Sequence, residues 1–410
     1  MKVPLGFGGL WVSASLGMLL CLKSVHSNHF ASQLYSQASR GNHHRNLVVS
    51  PATTNLALGL VFVGMQSCPE LTSVLDTMRP GELATENIKM VNRLYVNRRV
   101  QLMPAYQEAI SDERLGQPAK TVDFSEPQVV GEEIDSFVRI FTDKVRQFTP
   151  PGLLDKDTKM AIANAANFHG QWARPKQTKR LPFHPLGGGQ QLVDTLEAFE
   201  HLRYGRLDGL DARVLELPYE GERLSMVVIL PRQAGQGLAS LSSQLRDVDL
   251  VPLTQNLSKR FVHVRIPKFW VETRLPLESV RRPLGVRTIF HAPLMHQMVA
   301  GRGRSHRIST IMHLSSIEVS ESGSGYSPLA TAKRLYTEPL QFWANHPFVF
   351  AIKDANHIYF MGHVRPNSYR KAGISSLLNK IHRVLFFFAS LIVSKIAAVA
   401  TVAAVGAAGG

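Results

Sequence analysis

Sixteen histidines and many serines in a chain of 410 residues make serine-nucleophile hydrolysis the first chemistry to look for. That chemistry needs a hydroxyl activated by a neighbouring base, which in turn is oriented by a third group. No G-x-S-x-G elbow, Walker loop or dinucleotide fingerprint occurs. Gly187-Gly188-Gly189 and the pair Gly301/Gly303 read as surface turns, because neither leads from a strand into a helix as a phosphate cradle must. Cys21 and Cys68 are the only cysteines, and no C-x-x-C or H-E-x-x-H spacing is present, so the sequence predicts no disulfide framework, no metal and no cofactor. Cys68 has no basic neighbour to stabilise a thiolate and reads as a packing residue. A triad built from distant residues leaves no local signature, but with none of these motifs present an enzyme is not the expectation.

Charge offers a second chemistry. The chain carries 46 Lys plus Arg against 31 Asp plus Glu, a net +15. Without the two lysines before position 24 and the five basic residues after 367, the charge of the body is +8. Arg174, Lys176, Lys179 and Arg180 form one basic cluster, Arg281 and Arg282 a second, and Arg302, Arg304, His306 and Arg307 a third. Such clusters could attract a sulfated polysaccharide or form an ordinary solvated face. No aromatic residues interleave with them to stack bases, so nucleic acid is not expected.

The two ends differ from the body. Lys2, an apolar run LGFGGLWVSASLGMLLC and small residues near Ser24 and Ser27 read as a signal peptide over 1–23, which predicts an exported, extracellular protein. Asn256-Leu257-Ser258 is then a glycosylation acceptor on an exported chain. Residues 368–410 are basic and then apolar from Val384, long enough to cross a bilayer but interrupted by Lys395. A membrane span, a lipid-anchor signal and a non-functional extension all stay open for this tail.

Between the ends, 44% apolar residues suffice for a substantial core, and no repeat or long Gly/Ser linker divides residues 24–367. We read one large α+β domain. Ser50-Pro51 is a helix start, with Ser as cap and Pro in the first turn, leading into the apolar run NLALGLVFVGM. Residues 131–146 place Ile134, Phe137, Val138, Phe141 and Val145 on one stripe, with acids early and basics late, which predicts an amphipathic helix. Strands are expected over 214–221, 223–231, 261–271, 348–353 and 358–364, and Tyr219-Glu220-Gly221-Glu222 reads as a hairpin turn.

A longer pattern runs through this body. It comprises N-L-V-V-S-P at 46–51, N-R-L-Y at 92–95, V-D-F at 122–124, and Asn164, Phe168, Gly170 and Trp172 in one stretch. L-E-L-P-Y-E-G-E-x-L-S-M follows at 215–226, then I-P-K-F at 266–269, L-G at 284–285, M-H-x-x-x-I-E-V at 312–319, N-H-P-F-V-F at 345–350 and F-M-G-H-V at 360–364. In order and spacing the chain resembles a serpin. The resemblance implies three β-sheets, roughly nine helices and an exposed reactive-centre loop, in a layered and metastable α+β fold. It implies a monomeric serine-protease inhibitor: the protease cleaves the loop, is held as an acyl-enzyme, and is carried along as the loop inserts into the central sheet. Ser50, Thr53, Asn164 and His313 match the polar group that supports sheet opening, and Trp172 matches the tryptophan beneath the point where the loop goes in.

The matching loop runs from Glu321 to before Pro347. Gly323 and Ser324 are small, as insertion requires, whereas Tyr326 and Pro328 are not. If Ser324 faces inward, alternation turns Tyr326 and Pro328 inward too, and proline removes a ladder hydrogen bond. The family register puts the scissile residue at Thr337 after Leu335 and Tyr336, while Lys333-Arg334 offers a trypsin-like site three residues earlier. Two readings therefore stand: an inhibitor trapping a serine protease, trypsin-like if cut after Arg334, and a non-inhibitory serpin acting as a binding protein or protease substrate.

Overall fold

The structure is a computed structural model that describes residues 28–64, 87–111, 115–142, 147–174, 176–277, 298–300, 307–321 and 338–365. Its helices are α1 (Asn28–Ser39), α2 (Pro51–Val63), α3 (Pro104–Ile110), α4 (Pro127–Phe141), α5 (Gly237–Gln244) and α6 (Leu250–Gln255). Its strands are β1 (Leu47–Val49), β2 (Ile88–Asn97), β3 (Gln117–Val122), β4 (Met160–His169), β5 (Gln177–Phe183), β6 (Gln191–Leu207) and β7 (Ala212–Pro218). They continue as β8 (Ser225–Pro231), β9 (Ser258–Pro267), β10 (Phe269–Pro276), β11 (Thr310–Val319), β12 (Leu340–Trp343), β13 (Phe348–Lys353) and β14 (Ile358–Val364).

Five strands form one sheet in the order β10-β11-β4-β2-β3. The other nine form a second, β1-β14-β13-β8-β7-β6-β9-β12, with β5 against β6. The mixed architecture stands as expected, but the element count differs: among the described residues there are six α-helices rather than roughly nine, and two hydrogen-bonded sheets rather than three. The third sheet is merged into the second because the 17-residue β6 pairs with β9 along one edge and with β5 and then β7 along the other.

The apolar layers follow from alternation along the strands. Ala166 and Phe168 of β4 and Ile317 and Val319 of β11 turn inward, onto Met226, Val228, Phe348, Phe350 and Phe360 of the large sheet. Ala161, Ala163 and Ala165 of β4 and Met312 and Leu314 of β11 turn outward, beneath Val130, Ile134, Phe137 and Val138 of α4. Strands β8, β13 and β14 are buried along their whole length, the pattern of strands between two layers. Their apolar runs are legible for that reason.

Two expectations shift in detail. Helix α4 starts at Pro127, which takes its first turn, and stops at Phe141 because Thr142 is extended (φ −132°, ψ 101°). No acid lies in its first turn, and Arg139 is the basic residue in its last. Residues 261–271 do not form one strand: the run breaks at Lys268, so that β9 joins the large sheet and β10 the small one. The hairpin between β7 and β8 is as read, with Gly221 at φ +77° and Glu222 at φ +54°, the Tyr219 amide donating to the Leu224 carbonyl, and Pro218 opposite Ser225. The Gly187–Gly189 triplet is a turn in open space, each residue at positive φ, which glycine alone adopts without strain.

Candidate functional site: the seam between β4 and β11

Strands β4 and β11 pair directly and in parallel over nine positions, from Ala161 opposite Thr310 to His169 opposite Glu318. Both have antiparallel neighbours on their far sides, β2 and β10. Parallel pairing needs a long crossover and is slightly weaker per residue than antiparallel pairing, and this sheet has it at two places, the outer β2–β3 pair and this central seam. The chain leaves β11 at Val319 and returns as β12 on the edge of the other sheet, where Leu340 lies opposite Val262.

Side chains fasten the seam along its length. At its middle, the Nδ1 of His313 lies 2.6 Å from the Asn164 Oδ1, and the Asn164 Nδ2 donates to the Thr53 carbonyl at 2.7 Å. The Ser50 backbone N–H donates to the His313 Nε2 at 3.1 Å. An amide can only donate, so Nε2 carries the lone pair and Nδ1 the proton it gives to Asn164. Burial holds the imidazole neutral, with its pKa at about 3. The Ser50 hydroxyl caps α2, accepting from the Thr53 amide, and donates to the Tyr359 carbonyl at 2.7 Å. The group thus ties β4, β11, α2 and β14 together through donors and acceptors that fit only one protonation state.

The structure brings Ser50, Thr53, Asn164 and His313 into one network, but Thr53 enters it differently from expectation. Its hydroxyl turns back to the Ser50 carbonyl at 3.4 Å, and its own carbonyl meets Asn164. Sequence reasoning missed Asn92, whose Oδ1 lies 3.5 Å from the Asn164 Nδ2 and whose Nδ2 donates to the Leu115 carbonyl. It also missed Ser315, 2.8 Å from the His313 Nε2, and the bond from Ser316 to the Asn167 Oδ1 across the seam. Asn92 and Asn164 both head quoted motifs, and their asparagines in otherwise apolar strands were the available signal.

At the loop end of the seam, Trp172 follows β4 and its indole Nε1 donates to the Ser320 carbonyl at 2.9 Å, just beyond β11. Its ring stacks on Tyr219 at 4.5 Å and 12°. Gly170 permits this, since a Cβ there would lie 2.6 Å from the Tyr219 ring. His169 and Glu318 make a further cross-seam pair at 3.8 Å. Glu321 is exposed and 3.1 Å from the Lys268 Nζ, and the Thr178 hydroxyl with that ammonium holds its carboxyl below the ordinary range. Gly323, Ser324, Tyr326, Pro328, Lys333, Arg334, Leu335, Tyr336 and Thr337 lie outside the described residues, as do 1–27 and 366–410.

The first basic cluster is not a free cationic surface. The Lys176 side chain is 3% exposed and paired with Glu200 at 2.8 Å. Lys179 meets Glu197, which also accepts from His263 at 2.9 Å and Arg265 at 2.8 Å. Burial pushes the Glu197 carboxyl up, but these hydrogen bonds more than reverse it and hold it at about 2. Arg174 and Arg180 remain exposed. Arg281, Arg282, Arg302, Arg304 and His306 lie outside the described residues, and Arg307 is exposed. Among the described residues no helix is long and apolar enough to cross a membrane.

Comparison with known proteins adds the family. The profile described as "Serpin (serine protease inhibitor)" matches residues 25–366. Serine protease inhibitor 42Dd of Drosophila melanogaster is 29% identical over 360 residues, covering 82% of this chain and 95% of its own. The leukocyte elastase inhibitor of Homo sapiens is 28% identical, covering 82% and 97%. Among solved structures, Serpin48 of Tenebrio molitor superposes with a TM-score of 0.71 at 26% identity, covering 84% of this chain and 97% of that one. Uncleaved ovalbumin shares the fold, with a TM-score of 0.72 at 22% identity. A match across the whole body, on a chain whose sheets, hairpin and seam have just been described, establishes that this chain belongs to the serpin family.

Proposed function

We propose that the protein is a serine-protease inhibitor in which residues 322–337 present the scissile bond and, once cut, enter the β4–β11 seam as a new central strand. The observation that carries this reading is the nine-residue parallel ladder, closed and side-chain fastened, with the chain leaving from one of its two strands. A strand folded back from the end of β11 would run antiparallel to both neighbours, replacing one parallel ladder with two antiparallel ones. Length suffices: nine ladder positions span about 30 Å, and the 13 residues from 322 to Arg334 reach about 43 Å when extended. A cut after Arg334 therefore still leaves enough chain to fill the seam. The two relatives named as protease inhibitors are consistent with this activity.

The reading takes residues 1–23 as a signal peptide, 24–367 as an exported inhibitor domain, and 368–410 as a tail outside it. The serpin match over 25–366 ends close to those boundaries on both sides. No catalytic residue is assigned.

A second reading, a non-inhibitory serpin cut as a substrate or acting as a binding protein, is favoured by Tyr326 and Pro328. In a central strand Pro328 would leave one carbonyl of a neighbouring strand without its donor. Incubating the purified protein with a trypsin-like and a chymotrypsin-like protease separates the readings. An SDS-stable adduct is expected for an inhibitor, and clean cleavage without adduct for a substrate. Hydrolytic turnover lost on a single serine substitution would mean an enzyme instead.

A further inference from the structure

Behind Trp172 lies an ion pair that the proposed mechanism does not use. The Lys176 ammonium sits 5.0 Å from the centre of the Trp172 ring and 2.8 Å from the Glu200 Oε1, and the side chains of Lys176 and Glu200 are 3% and 7% exposed. Two charges this deep carry a large desolvation penalty, and an apolar pair of similar volume would pack there at comparable or greater stability. The position of the ammonium suggests what the charge does. One face of the indole stacks on Tyr219, its ring lies within cation–π reach of Lys176, and its N–H edge is aimed at the Ser320 carbonyl across the seam. Lys176 begins the segment leading into β5 and Glu200 belongs to β6, so the grip on the ring comes from the large sheet, not from either strand of the seam.

We infer that Lys176 and Glu200 are positioning residues that lock the Trp172 indole across the loop end of the β4–β11 seam and so set how fast the seam opens. Opening must break the Trp172–Ser320 bond, and a ring free to tilt gives that bond up more readily than one gripped between a cation and a phenol ring. The pair acts as a brake, and the effect on insertion rests on the proposed role of residues 322–337.

The test uses the full chain with tryptophan indoles labelled with 15N, and the Trp172 signal assigned by its loss in Trp172→Phe. Replacing both charges together, Lys176→Met with Glu200→Met, removes the cation without stranding a buried carboxylate. Exchange of the Trp172 Nε1–H with solvent in the uncut protein should speed up about tenfold or more, while amide exchange at Asn164 and His313 in the middle of the seam stays unchanged. After cleavage by trypsin, the heat-stable form should appear about tenfold sooner than in the unsubstituted protein. Glu200→Gln, which keeps an acceptor for Lys176 but not the charge, should give a smaller change in the same direction. Unchanged indole exchange in both variants would overturn the inference, and so would a uniform rise at Trp172, Asn164 and His313. The exchange measurement needs no inserting loop, so an unsubstituted protein whose cut loop never inserts would sink the proposed function and leave the latch to be judged on exchange alone.

Discussion

Acidification should weaken this fold through His313. The ring is buried, donates from Nδ1 to Asn164 and accepts at Nε2 from the Ser50 amide, and burial holds its pKa at about 3. Between about pH 3 and pH 6.5 the unfolded chain therefore binds a proton at this position that the folded chain does not. Stability is fully present above pH 6.5 and is lost as pH falls through that window, at about 1.4 kcal/mol per pH unit. At pH 5 the loss from His313 is about 2 kcal/mol. His363, lowered to about 4 mainly by burial, adds a similar loss of the same sign. Glu197 does not contribute above pH 5, because its carboxyl is already ionised there in both states. A His313→Gln chain offers one donor and one acceptor at the same place and cannot titrate. Urea unfolding followed by circular dichroism at pH 7.5 and pH 5 should show the parent losing about 2 kcal/mol more than His313→Gln over that interval. A folded His313→Gln chain with the full acid sensitivity of its parent would refute the neutral, donor-at-Nδ1 imidazole.

Other substitutions probe the seam and the loop. Gly170→Ala would put a Cβ 2.5–2.6 Å from the Phe168 and Tyr219 rings, so Tyr219 must move off Trp172, with an expected loss of about 2 kcal/mol in thermal unfolding and faster exchange of the Trp172 indole. Gly362→Ala would place a Cβ 2.2 Å from the Leu47 carbonyl, and β1 should separate from β14, a loss expected in amide exchange of Leu47–Val49 with little change at Trp172. Tyr326→Thr with Pro328→Ala should raise the fraction of protease captured as SDS-stable adduct relative to the fraction of chain merely cut. An unchanged ratio would show that those two side chains do not limit insertion.

Elements that lie between two layers were legible in the sequence. Strands β8, β13 and β14 are largely apolar because both their faces are buried, and the Ser50-Pro51 start of α2 carries its own cap chemistry. Strand β4 was hidden because its outward face is alanine, which marks neither a strand nor a hydrophobic stripe, yet those small side chains are what bring α4 close to the seam. The break at Lys268 was hidden because residues on both sides of it are equally apolar, and only the separation of the sheets reveals it. Lys176 looked like one member of a surface cluster, since a lysine sequence carries no sign of a glutamate 24 residues on that folds against it. Ser50, Asn164, Trp172 and His313 were found through motif resemblance, whereas the bonds joining them, and the part played by the Thr53 carbonyl, needed coordinates.

The most direct measurement is the melting temperature of the full chain before and after trypsin cuts between residues 322 and 337. Entry of the cut strand between β4 and β11 replaces one nine-position ladder with two, a net gain of roughly nine backbone hydrogen bonds at about 1 kcal/mol each. For a domain of this size that raises the melting temperature on the order of 10 °C or more. A cut protein that melts at that higher temperature is the predicted result, and one that melts where the intact chain does would contradict the opening of the seam on which the account depends.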